Sequence, residues 1–289
     1  MTSDSATLTG PDFAAGIAAD ALEPGGKLLG HAQGEPVLLA RLGDDYVAIG
    51  ATCSHYGGPL ADGVIDGDTV RCPWHHACFS LRTGEARRAP ALSPVACWRV
   101  ERRDGRIVVT EKEERDPLAA SYPSSPAPRQ TPADVVIIGA GAAGSAAAEM
   151  LRRCGFAGRV TMIDGEPDSP YDRPNLSKDY LAGNAPEEWI PLRPASFYAE
   201  HGIDVVRGRA TKIDVAAKSV DIEGRAPVRY DALLLATGAD PIHLQVPGDD
   251  QPHVHERRSI ADSRSLVAAS SGARRAVVVG ASFSGREVA

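Results

Sequence analysis

Two short stretches constrain this chain more than anything else in it. Cys53–Ser54–His55 is followed, sixteen residues on, by Cys72–Pro73–Trp74–His75. Each stretch supplies one sulfur and one imidazole, so a fold that brings them together makes a four-ligand metal centre. A structural zinc site accepts two cysteines and two histidines. Zinc modules, however, usually pair cysteine with cysteine and histidine with histidine at short spacing, and here each loop is mixed. A two-iron cluster suits mixed loops, because one iron can take both thiolates and the other both imidazoles. Neutral histidines in place of two charged thiolates then raise the potential. Gly57, Gly58 and Pro59 follow the first loop, as expected where backbone N–H groups approach sulfur closely.

The segments around these loops read as short strands. Pro36–Arg41 and Tyr46–Ala51 flank the turn at Gly43–Asp44–Asp45. Asp66–Gly67–Asp68 precedes Thr69–Arg71, and Asp104–Gly105 separates Trp98–Glu101 from Ile107–Thr110. Asp-Gly pairs between apolar runs are hairpin signals, so a small antiparallel all-β domain is expected over residues 12–112. Residues 113–132 then combine a charge run with Pro117, Pro123, Pro126, Pro128 and Pro132 among Ser and Ala. Such a segment buries no apolar face and reads as a semi-extended linker.

Residues 133–289 change to an α/β pattern. Val135–Ile138 is a buried-type strand, Ala142–Arg153 an Ala-rich helix closed by Gly155, and Arg159–Asp164 a second strand. Strand, helix and strand imply a parallel sheet. Further strands are expected at Asp204–Arg207, Thr211–Val215, Ser219–Ile222, Leu233–Ala236 and, buried, Ala276–Val279. In the turn after the first strand, Gly139 permits tight reversal, Gly141 lets the backbone approach a pyrophosphate, and Gly144 lets helix and strand pack closely. The free N–H groups of the helix start face the phosphates. Asp164 stands twenty residues after Gly144, where a ribose-binding acid is expected, with Glu166 as the close alternative.

The net charge of −7, with no basic run, excludes a nucleic-acid surface of the usual kind. No stretch approaches the roughly 18 apolar residues of a membrane span, and the N-terminus lacks a secretory pattern. Five cysteines cannot staple 289 residues, so a reducing, cytoplasmic setting is the expectation. Cys78, Cys97 and Cys154 read as small buried apolar residues. His31, His201, His243, His253 and His255 fall in turns or polar stretches.

Cys53 to Ser80 resembles a Rieske ferredoxin domain, a likeness extending over roughly residues 15–110. Pro170–Tyr171–Asp172–Arg173–Pro174–Asn175–Leu176–Ser177–Lys178 resembles the flavin-contacting segment of the ferredoxin-reductase family. Tyr230–Asp231 through Ala236–Thr237–Gly238 to Pro241 resembles that family's second FAD motif. The two modules together are similar to the apoptosis-inducing-factor-like Rieske oxidoreductases. This resemblance implies an all-β Rieske domain followed by an incomplete α/β Rossmann-type FAD/NAD(P)-binding domain.

By the same resemblance, Cys53, His55, Cys72 and His75 hold the [2Fe–2S] cluster. Gly139, Gly141, Gly144, Asp164, Arg173, Lys178, Thr237 and Gly238 hold FAD. Gly280, Ser282 and Gly285, following Val277–Val279, form a second dinucleotide turn for NAD(P)H. Lys178 is placed near the isoalloxazine and Glu287 pairs with it. Gly58 and Trp74 stand where high-potential members carry a disulfide, and Ala77 and Phe79 where they carry hydroxyls. Fewer hydrogen bonds to sulfur imply a potential in the low part of the Rieske range. His76 stands where Gly is common, which raises loop strain, and Arg286 on the inner side of its helix would be costly to bury unless it meets phosphate or a carboxylate.

The function implied is transfer of electrons from NAD(P)H through FAD to the cluster and on to an external acceptor, such as a ferredoxin, an oxygenase or a cytochrome. A redox-sensing protein using the same cofactors is the alternative. The motifs of the family's later segments do not occur in these 289 residues. The chain is therefore expected to be the N-terminal part of a longer enzyme, with little NAD(P)H turnover of its own.

Overall fold

The computed structural model describes residues 8–113, 131–280 and 283–288. Most of the expected linker, residues 114–130, lies outside these, as does Ser282. The chain divides into two compact units, one within residues 1–121 and the other within 122–289.

The first unit is built from two antiparallel sheets. Its strands are β1 (Ile17–Ala18), β2 (Lys27–Ala32), β3 (Glu35–Leu42), β4 (Asp45–Gly50), β5 (Val64–Asp66), β6 (Thr69–Arg71), β7 (Cys78–Ser80), β8 (Ala86–Arg88), β9 (Cys97–Arg103) and β10 (Arg106–Glu113). The larger sheet runs β1-β10-β9-β4-β3-β2 and the smaller β5-β6-β7-β8. All three Asp-Gly or Gly-Asp turns join paired strands: β3 to β4, β5 to β6 and β9 to β10. Strand β3 is apolar at consecutive positions because both of its faces are covered. Leu38 and Ala40 pack with Ile49, Leu60, Phe79 and Leu81, whereas Val37 and Leu39 pack with Phe13, Trp98 and Ile107. Cys53 and Cys72 belong to the first of these cores, so the metal-ligand loops rise directly from packed side chains.

The second unit is centred on β11 (Asp134–Ile138), followed by α1 (Ala142–Arg153) and β12 (Arg159–Asp164). Then come α2 (Ala195–Glu200), β13 (Ile203–Arg207), β14 (Ala210–Asp214), β15 (Ser219–Ile222), β16 (Val228–Arg229) and β17 (Ala232–Leu235). Helices α3 (Ile260–Ser270) and α4 (Phe283–Val288) close the list. The parallel sheet has the order β13-β12-β11-β17, and β14-β15-β16 form a separate antiparallel sheet. Strand β11 is covered on both sides. Val135 and Ile137 face Ala148, Met162 and Tyr198, and Val136 and Ile138 face Val220, Ile222 and Tyr230. Helix α3 starts at a capping box, in which Ser259 and Asp262 each accept a hydrogen bond from the other's backbone N–H.

One expected strand is absent. Residues 276–279 pair with nothing among the described residues, and Val277 and Val279 are 90% and 74% exposed. An apolar run needs a ladder partner and a covered face to become a buried strand, and neither is available to it here. Two side-chain expectations also fail. Cys154 caps the C-terminal end of α1 in an exposed position, and Arg286 is exposed, so its burial cost does not arise.

Candidate cluster site and dinucleotide cradle

The two ligand loops share one backbone design. In the first, the Cys53 N–H donates to the Gly58 carbonyl (2.8 Å) and the Gly57 N–H to the Cys53 carbonyl (3.0 Å). In the second, the Cys72 N–H donates to the Ala77 carbonyl (2.8 Å) and the His76 N–H to the Cys72 carbonyl (3.0 Å). Four residues after each cysteine the chain is left-handed, with φ of 77° at Gly57 and 61° at His76. His76 therefore occupies a glycine's conformation.

Both cysteines are buried, at 3% and 2% exposure. The His55 and His75 rings meet edge to face with centroids 5.0 Å apart, and Tyr56 lies 4.1 Å from His55 and 6.2 Å from His75. Burial pushes the Cys53 thiol up to about 11, with backbone hydrogen bonding at His55 opposing it and the neighbouring Cys72 adding to it. A Cys53 sulfur so shielded becomes a thiolate only with a cationic partner, which is what a metal centre supplies. No three His, Cys, Asp or Glu side chains among the described residues converge as a single ion would require. A two-iron cluster asks only two protein ligands of each iron, so the donor set fits it better than zinc.

In the second unit Gly139 has φ of 104°, and a side chain there would collide with the Ala236 carbonyl at the end of β17. A side chain on Gly144 would collide with the Gly139 carbonyl. Gly141 differs, because a Cβ there would meet nothing within 4 Å. Nothing in the chain itself needs Gly141 to be bare, and α1 begins there without a side-chain cap. An open, uncapped start to a twelve-residue helix fits a dinucleotide pyrophosphate. Thr237 and Gly238, with φ of 71° at the glycine, follow β17 beside this turn.

Sequence matching agrees with both halves. The pyridine nucleotide-disulphide oxidoreductase model matches residues 133–289. The chain belongs to this family. The Rieske [2Fe–2S] domain model matches residues 16–99, ahead of the oxidoreductase domain. Human apoptosis-inducing factor 3 is 35% identical over 260 residues, covering 88% of this chain and 42% of the relative. Rhodocoxin reductase of Rhodococcus erythropolis is 42% identical over 156 residues, covering 54% of this chain and 36% of its own length. A ferredoxin reductase structure from Rhodopseudomonas palustris superposes with a TM-score of 0.52 at 34% identity, over 54% of this chain and 39% of that one. The chain thus spans less than half the length of these relatives. The Rieske domain implies a [2Fe–2S] cluster, and the oxidoreductase domain implies FAD and NAD(P)H.

Within the oxidoreductase domain the two candidate ribose acids differ in their surroundings. Asp164 is 7% exposed. Its carboxylate accepts from the Glu166 N–H (3.1 Å) and pairs with Arg207. Burial nevertheless pushes the Asp164 carboxyl up. Arg207 also donates to the Glu166 and Asp168 carbonyls, at 2.9 and 2.6 Å. Glu166, with its side chain 32% exposed, pairs with Arg173 and accepts from the Tyr171 hydroxyl.

Lys178 Nζ lies 3.0 Å from a Glu287 carboxylate oxygen, which also accepts from the buried Ser177 hydroxyl at 2.7 Å. The Ser177 hydroxyl and the Lys178 ammonium hold the Glu287 carboxyl below its ordinary value. Sequence reasoning missed Arg207 and Ser177. Arg207 faces Asp164 only through the β12–β13 register, which the sequence does not give. Ser177 had a signal in its place beside Lys178.

The described ends of the second dinucleotide turn, Gly280 and Gly285, meet as those of the first do. Gly280 has φ of 117°, and a side chain on Gly285 would collide with the Gly280 carbonyl. Among the described residues no strand backs it. No helix among the described residues is long and apolar enough to cross a membrane.

Proposed function

We propose that the chain carries the cluster and flavin sites of an oxidoreductase that moves electrons from NAD(P)H through FAD to the Rieske centre and on to an external carrier, such as a ferredoxin, an oxygenase or a cytochrome. When bound, FAD takes up two electrons together and the [2Fe–2S] cluster carries them one at a time.

The rest falls to the chain's own residues. Cys53 and Cys72 would supply thiolates from a dry core, and His55 and His75 would supply imidazoles on its solvent side. Gly139, Gly141 and Gly144 would admit the pyrophosphate to the start of α1, where unpaired N–H groups favour the anion. Arg173 would add a cation, and Thr237 and Gly238 would close the cradle. Glu166 would bind the ribose, because its carboxylate is reachable, while Asp164, held by Arg207, shapes the loop beneath it. Lys178 would present its ammonium to the flavin, held in direction by Glu287, and a cation there favours reduced, anionic flavin. Gly280, Ser282 and Gly285 would receive NAD(P)H.

Ala77 and Phe79 bring no hydroxyl donors to the cluster, so its potential belongs in the low part of the Rieske range. A cluster held there by Cys53, Cys72, His55 and His75 would lie within a flavin's reducing range. The observation that carries this reading is the pair of mixed Cys–His loops with buried cysteines on the same chain as an open, uncapped glycine cradle.

The test is to reconstitute the chain anaerobically with iron, sulfide and FAD, titrate its potential by EPR, and follow cluster reduction after flavin photoreduction. A Rieske signal appearing as the flavin reoxidises is expected. A midpoint above about +150 mV, or a cluster that stays oxidised beside reduced flavin, overturns the assignment.

A further inference from the structure

Gly58 is bare for an unusual reason. Its backbone is not left-handed, so no turn demands glycine there. What demands it is space. A Cβ at Gly58 would come within 2.6 Å of Cys72 Sγ and 3.2 Å of the Trp74 ring. Trp74 comes from the second ligand loop and lies against the backbone of the first, with 55% of its surface left in solvent. The four backbone bonds that shape the loops each close one loop on itself. Register between the loops must come from contacts that cross from one to the other. Tyr56, near His75, supplies one on the histidine side, and Trp74 on Gly58 supplies one on the sulfur side.

We propose that Trp74 is a positioning residue that clamps the two ligand loops together by seating its indole on the bare backbone of Gly58. This rests on the cluster reading above. The clamp fixes the separation of Cys53 and Cys72 without touching iron, and it keeps water from the Cys72 sulfur. A large aromatic contributes contact area at little entropic cost, which suits a loop that must stay still while half exposed.

The test uses the whole chain with its cluster reconstituted anaerobically. Loss of the cluster is followed by absorbance after addition of an iron chelator, with the EPR spectrum and the midpoint potential as second and third readouts. Trp74→Ala should lose its cluster about tenfold faster, the size expected for a forfeited half-buried aromatic contact. Its EPR lines should broaden. Its potential should rise, since water admitted to the sulfurs stabilises the more negative reduced state. Trp74→Phe should restore most of the lifetime, and Trp74→Gln, which keeps bulk without a flat ring, should resemble Trp74→Ala.

A Trp74→Ala protein with wild-type lifetime and spectrum overturns the clamp. So does a Trp74→Phe protein no better than the alanine variant. If Trp74→Ala does not fold, as judged by thermal melting of the cluster-free chain, Trp74→Gln decides, and a normal cluster lifetime there overturns the proposal. A wild-type chain that takes up iron and sulfide without a Rieske spectrum overturns the cluster reading itself, before any variant is compared.

Discussion

The two glycine turns of the second unit share their described ends and differ in their settings. Each begins at a left-handed glycine, Gly139 or Gly280, and each ends at a glycine, Gly144 or Gly285, whose side chain would strike the carbonyl of the first. The first turn joins a strand with a parallel neighbour on each side to a helix of twelve residues. The second joins an exposed, unpaired run to a helix of six. Glycine spacing therefore fixes how the two ends of such a turn meet, and the sheet behind it dictates how firmly those ends are held.

The sharpest way to break the comparison is to place a side chain where neither turn has room. Gly144→Val should destabilise the chain by about 3 kcal/mol or more, because β11 and α1 cannot separate without opening the core between them. Gly285→Val should move the global transition by less than about 1 kcal/mol. The same clash there is relieved by detaching α4, whose local opening caps the cost. Chemical denaturation of both variants measures the difference, and equal losses would refute the argument.

Helix α1 has a second restraint that is buried, unlike the more exposed Lys178–Glu287 pair that ties α4. Glu149, 9% exposed in its side chain, pairs with Arg153 at 2.7 Å and Arg193 at 2.8 Å, and the arginine side chains are 8% and 11% exposed. Arg193→Met should cost about 2 kcal/mol, since it leaves a buried carboxylate with one partner fewer. Replacing Glu149, Arg153 and Arg193 together by methionine should recover most of that loss, because no buried charge then remains. Urea midpoints at constant slope give both numbers.

The cluster loops repeat the lesson on a smaller scale. Gly57 and His76 hold equivalent left-handed positions, one with the residue that favours them and one without. In the cluster-free chain His76→Gly should gain about 0.5 kcal/mol, the released strain less the extra freedom of the unfolded glycine. Gly57→His should lose about 1 kcal/mol. A loss in the His76 variant would mean that its ring makes contacts worth more than the strain.

Much of this was legible in the sequence because it depends on neighbours along the chain. Helix Ala142–Arg153 and strands Arg159–Asp164 and Ser219–Ile222 fall where local pattern places them. The hairpins follow from their Asp-Gly turns, and His76 announced its strain by standing where glycine is usual. What stayed hidden depends on partners distant in sequence. The run at 276–279 has the local marks of a strand but, among the described residues, neither a ladder partner nor a covered face. Arg207 meets Asp164 only through the register of two parallel strands, and the Trp74 contact with Gly58 depends on how two loops approach one another.

The smallest effect concerns how the first turn's strand is pinned at its start. The Asp231 carboxylate accepts from the backbone N–H groups of Ala133, at 2.8 Å, and Asp134, at 3.0 Å, and so ties the approach to β17 to the approach to β11. Those two donors, from Asp134 and Ala133, hold its carboxyl below the ordinary value. A carboxyl lowered in the folded state stabilises the fold above its unfolded value, and that contribution disappears as pH falls through the lowered folded value. Asp231→Asn should therefore melt slightly below wild type at neutral pH, and the two curves should converge on acidification. The site is open to solvent, so screening keeps the gap small. It belongs to two hydrogen bonds more than to long-range charge, so added salt should leave it nearly unchanged. A gap that closes with salt at neutral pH would show that the carboxylate acts through the general field, not as a fastening for the strand behind Gly139.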